Sequence, residues 1–95
     1  MSAGGAECRA SLEIQNRLGL HARAAVLLVQ TASSFDAEVL IQKDGQTVSG
    51  RSIMGVMTLA ATQGSTIEVI TSGPQAAEAL DAIRLLVAAK FNEPD

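Results

Sequence analysis

Apolar and polar residues alternate over positions 9–15, with Ala10, Leu12 and Ile14 on one side and Ser11, Glu13 and Gln15 on the other. A period of two places each set on its own face of the pleat, so this segment predicts a strand with one wet face. The run NRLGL, positions 16–20, breaks the alternation at Gly19 and reads as a loop. From Ala22 the period lengthens: Ala25, Leu28, Val29 and Ala32 fall at i, i+3, i+4 and i+7, which predicts a helix ending near Ser33-Ser34. Alternation returns at Ala37, Val39 and Ile41, and Asp44-Gly45 is a strong two-residue hairpin signal leading into the short strand QTVSG. RSIMGVMTL predicts a helix of a turn or two, with Ser52 as its N-cap and Gly55 limiting its length. TQG turns the chain into the strand STIEVIT, which carries Ile67 and Val69 on one face. A last helix is expected from Ser72 or Gly73 as cap and Pro74 at its first position, with Ala79, Leu80, Ile83, Leu86 and Val87 facing a sheet.

The order β-α-β-β-α-β-α predicts an α+β fold, an open-faced sandwich in which a four-stranded antiparallel sheet carries helices on one face. The other face, with Ser11, Glu13, Glu38, Gln42 and Glu68, should be wet. Length sets one domain: 95 residues, with a lead-in expected over 1–8, the folded unit over 9–91 and a tail over 92–95. A hydrophobic share of 47% supports a core, built from aliphatic side chains because Phe35 and Phe91 are the only aromatics. That scarcity, with a net charge of -3, argues against nucleic acid as a partner. Cys8 is the only cysteine, so no intrachain disulfide is expected, which suits a cytoplasmic location. The opening MSAGGAEC has no signal-peptide core, and no stretch predicts membrane insertion.

The candidate chemistry lies at His21, the only histidine, at the start of the first helix. The first amides of a helix lack internal partners and carry partial positive charge, so they favour an anion. A phosphoryl group on the His21 ring could accept hydrogen bonds from the Ala22 and Arg23 amides and pair with the Arg23 guanidinium, with Arg17 as a second cation. Imidazole has an ordinary pKa of about 6.5, which leaves a neutral nucleophilic nitrogen near neutral pH. Arg23 in a first helical turn opposes the helix dipole, a penalty that an anion would remove. From spacing alone, an anion-binding role and a plain capping or surface role both stay open. One His and one Cys among scattered carboxylates do not make a metal site, and no cofactor is expected.

Two blocks resolve this choice by resemblance. LGLHARAA resembles the active-site segment of the HPr family, the small phosphocarriers of the bacterial phosphotransferase system, and positions 50–69, GRSIMGVMTLAATQGSTIEV, resemble that family's central helix and following strand. The resemblance runs over about 9–91. It implies that His21 takes a phosphoryl group on Nδ1 from phosphorylated enzyme I and passes it to an EIIA-type acceptor in a sugar or nitrogen-type relay. Arg23 matches the phosphate-supporting arginine, and the chain is then a carrier rather than an enzyme. Ser52 matches the serine that HPr kinase/phosphorylase modifies in many members, which makes it a candidate regulatory phosphosite. A second reading makes the chain a regulatory binding module controlled at Ser52 with His21 idle. Leu20, Val26, Leu27, Ile53 and Met54 are the candidate partner surface, Met57 is assigned to the core, and a monomer is expected. Ala24 departs from the family's usual proline, and Gln30 and Ser33 stand where sugar-type members often carry lysine. FDAEVLIQKDG and SGPQAAEALDAI are similar to the nitrogen-related NPr branch, whereas SIMGVM is similar to the kinase-regulated sugar branch.

Overall fold

In the computed structural model, which describes residues 7–93, the chain runs β1 (Glu7–Glu13), α1 (Ala22–Ser33), β2 (Glu38–Lys43), β3 (Gln46–Ser49), α2 (Ile53–Thr58), β4 (Thr66–Ser72) and α3 (Ala76–Ala88). A 3-10 turn at Lys90–Asn92 follows α3. The strands form one sheet in the order β1-β4-β2-β3, every neighbour antiparallel. The helices cover one face, giving the open-faced sandwich expected from the order of periods.

The alternating residues explain the layering. Val39, Ile41, Ile67 and Val69 point from the central strands into the core and are buried. Ala25, Leu28 and Ala32 of α1 and Ala79, Ile83 and Val87 of α3 meet them from above. Small alanines on both helices let the backbones approach the sheet closely, so a core almost without aromatics still closes. Phe91, just past α3, supplies one large plug. The open face keeps Ser11, Glu13 and Glu38 in water. There Arg9 pairs with Glu68 at 2.8 Å. An ion pair this exposed contributes less than about 1 kcal/mol.

Turn chemistry sets the register. Asp44 and Gly45 lie at φ 50° and 83°, and that left-handed pair joins β2 directly to β3. Ser52 caps α2 as its sequence suggests, its hydroxyl oxygen accepting from the Gly55 amide at 3.0 Å.

Three boundaries differ from the expectation. Strand β1 starts at Glu7 rather than Arg9, because Ser72 and Thr71 of β4 pair with Glu7 and Cys8. Of the expected lead-in, 1–6 lies outside the described residues. At its other end β1 stops at Glu13, since Ile14 bonds instead to the turn after α2, through Ser65 O and the Gly64 amide. Helix α3 starts at Ala76, not at Pro74, and its cap is Gln75 rather than Ser72 or Gly73. Gly73 turns the chain at φ 111°, and Gln75 is then held by Asp36. The Gln75 amide donates to Asp36 O at 2.9 Å, and Gln75 Oε1 accepts from the Asp36 amide at 2.7 Å. Helical geometry begins only after that clasp.

Candidate functional site

The loop from β1 to α1 is built around Asn16, which is buried. Its Nδ2 donates to Gly19 O at 2.8 Å, and the Gly19 amide donates back to Asn16 O at 3.2 Å. Gly19 sits at φ 67°, and a Cβ there would run into the Ala61 carbonyl oxygen. Only glycine fits this corner. Leu20 then bonds to Ala61 O at 2.9 Å and drops into the core at 5% exposure. These anchors aim the next residue, His21, out of the loop.

His21 is the N-cap residue of α1, extended at φ -74° and ψ 177°, and its side chain makes no capping bond. The first bond of the helical ladder joins the Ala25 amide to His21 O at 2.9 Å. The amides of Ala22, Arg23 and Ala24 therefore precede the bonded ladder, at the positively polarised end of a 12-residue helix. The ring itself is partly open, with 29% of the side chain exposed. Ala22 and Arg23 are exposed, and among the described residues the Arg23 guanidinium has no hydrogen-bond or ion-pair partner. Ala24 is buried, and α1 forms with an ordinary first turn despite the missing proline.

A residue that sequence reasoning placed in a tail also reaches this site. Glu93 Oε1 accepts from Asn16 Nδ2 at 2.7 Å, and Glu93 Oε2 accepts from the Leu18 amide at 3.3 Å. The Oε1 atom lies 3.7 Å from His21 Nε2, and only 13% of the Glu93 side chain is exposed. The Asn16 hydrogen bond is the main influence holding the Glu93 carboxyl below its ordinary 4.5. Partial burial opposes it, and the Leu18 amide and the charges of His21 and Arg17 reinforce it. Arg17 is thus brought to the site through Glu93. No local signal pointed to Glu93, because the contact spans 77 positions in the chain. An Asn three residues before Gly19 was the readable hint of a side-chain-closed turn.

Two assignments on the surrounding surface need correction. Leu20 belongs to the core, because its backbone is pinned to Ala61, and it offers nothing to a partner. Met57, expected inside, is 40% exposed, since the short α2 buries only Val56. Ile53 and Met54 are exposed as expected, whereas Val26 and Leu27 are half-buried and Leu27 packs against the core. Leu18, not singled out from sequence, is 63% exposed beside the site. Among the described residues no group of acidic, histidine and cysteine side chains is placed to hold a metal, and no helix is long and apolar enough to cross a membrane.

The fold and the site together define a class: a small α+β sandwich that presents one histidine at a helix N-terminus. The family model described as the PTS HPr component phosphorylation site matches residues 8–89, and the chain belongs to this family of phosphocarriers. It is 49% identical over 83 residues to the phosphocarrier protein HPr of Neisseria meningitidis, covering 87% of this chain and 93% of the relative. It is 48% identical over 80 residues to the phosphocarrier protein NPr of Shewanella violacea, covering 84% of this chain and 88% of the relative. A crystal structure of HPr from Thermoanaerobacter tengcongensis superposes with a TM-score of 0.89 at 40% identity, covering 93% of this chain and 99% of that one. HPr of that bacterium has also been solved as a dimer.

Proposed function

We propose that the chain is a phosphoryl carrier in which His21 Nδ1 accepts the group from phosphorylated enzyme I and delivers it to an EIIA-type acceptor in the cytoplasm. The observation that carries this reading is the placement of His21: an N-cap whose ring makes no capping bond, partly open to water, ahead of three amides outside the helical ladder. Those amides favour the charge of an incoming phosphoryl group. The exposed Arg23 guanidinium adds a cation within the same first turn, and Arg17, which lines the recess with Glu93, is the second cation of this reading. Such a group acts once per visit and leaves with the acceptor, so the chain is a covalent relay and not an enzyme in its own right. Exposed Ile53 and Met54 on α2 give partners an apolar surface. Similarity to both an HPr and an NPr supports a phosphotransferase relay without favouring the sugar or the nitrogen branch.

The test is phosphoenolpyruvate and enzyme I mixed with the protein, followed by measurement of acid-labile phosphate. The chain should take up one phosphoryl group, and His21→Ala should take up none. Label on His21→Ala would refute the assignment. Running enzyme I of each branch side by side then shows which relay is served.

A further inference from the structure

We propose that Glu93 is a positioning residue for the phosphoryl acceptor: its carboxylate holds the proton of the His21 ring on Nε2 and so leaves Nδ1 as the nucleophile. This rests on the reading of His21 as the acceptor. A neutral imidazole has one N–H, and the partner of one nitrogen decides which nitrogen keeps it. Here the nitrogen in ion-pair contact with the carboxylate is Nε2, at 3.7 Å from Glu93 Oε1. A carboxylate only accepts, so the ring state it favours carries the proton at Nε2. The lone pair then resides on Nδ1.

The carboxylate is itself placed. Asn16 and the Leu18 amide each hold one oxygen, while Asn16 also closes the loop that carries His21. Among the described residues Asn16 Oδ1 is buried without a partner, so the amide is committed through Nδ2. The loop thus spends a buried polar atom to bring Gly19 and Glu93 together. Arg17 and Lys90 line the same recess as Glu93, and the Arg17 charge favours its ionised form. The arrangement is nucleophile, ring and orienting acid, with the acid delivered from beyond the last helix.

The chemical step balances with this assignment. The Nδ1 lone pair forms the bond to phosphorus, the bond from phosphorus to the donor breaks, and its electron pair leaves with the donor. The proton stays on Nε2, and the ring becomes a cation facing the Glu93 carboxylate.

The experiment combines 15N spectroscopy of the His21 ring near neutral pH with rapid-quench phosphoryl uptake from phosphorylated enzyme I, on the full chain. Wild-type protein should show the Nε2–H form. Glu93→Ala should gain Nδ1–H character and lose uptake rate by up to about tenfold, the lower edge of what orienting partners contribute. Glu93→Gln keeps an oxygen acceptor at the same reach and should restore the Nε2–H signature. Glu93→Ala with wild-type speed, or with unchanged ring signals, would overturn the proposal, as would a Glu93→Gln ring that behaves like the Ala variant. Loss of uptake in His21→Ala, measured alongside, tests the underlying reading separately.

Discussion

Under the proposed carrier role, single side chains near His21 divide the labour between holding the loop and meeting the phosphoryl group. Asn16 and Gly19 shape the backbone, whereas Arg23 is exposed and makes no bond within the described protein. Arg23→Ala should therefore change stability by no more than about 0.5 kcal/mol. Phosphoryl uptake should slow severalfold, because a charge-assisted contact to the transferred group is lost. Thermal melting and quench kinetics on the same preparation separate the two effects. Ser52 has a demonstrable structural job in capping α2. Ser52→Ala should cost about 1 kcal/mol, a drop of roughly 4–8 °C in Tm for a chain this size. Ser52→Asp keeps an N-cap acceptor and should hold Tm near wild type. If phosphorylation at this serine regulates docking, the same variant should also slow phosphoryl uptake; unchanged kinetics would leave Ser52 as a cap alone.

Among the elements, α2 ends on a readable defect. Its C-cap is Leu59, and the next residue, Ala60, is exposed and sits at φ 51°. A left-handed residue after a helix is usually glycine, because a Cβ is strained there. Ala60→Gly should raise stability by about 0.5–1 kcal/mol, net of the extra freedom glycine gives the unfolded chain. A melting temperature at or below wild type would show that the strain is relieved elsewhere. Helix α1 gives the complementary lesson. Alanine in place of proline at position 24 is buried and leaves an intact first turn, since alanine is a good helix former.

At the scale of the molecule, Glu93 ties the segment after α3 to the loop after β1. Its carboxyl is held below the ordinary value, so the folded protein binds that proton less readily than the unfolded chain does. Its stabilising contribution is complete above the ordinary carboxylate value and disappears as pH falls through the lower, folded-state value. Melting temperature should therefore decline as pH falls below the ordinary carboxylate value of 4.5, and Glu93→Gln should decline less steeply over the same acid range. Equal slopes would mean that the tie does not contribute to acid sensitivity.

Periodicity along the chain was enough to determine the order of strands and helices, the hairpin at Asp44-Gly45, the Ser52 cap and the position of His21 at a helix start. These are local: a period of two or 3.6 and a turn residue act within a few positions. Tertiary structure alone decided that Glu7 and Cys8 extend β1, that Asp36 delays α3 to Ala76, and that Leu20 is buried while Met57 is exposed. It also decided that Glu93 stands beside His21. Each of these depends on a partner distant in sequence, and no local pattern specifies which surfaces meet once the core has closed.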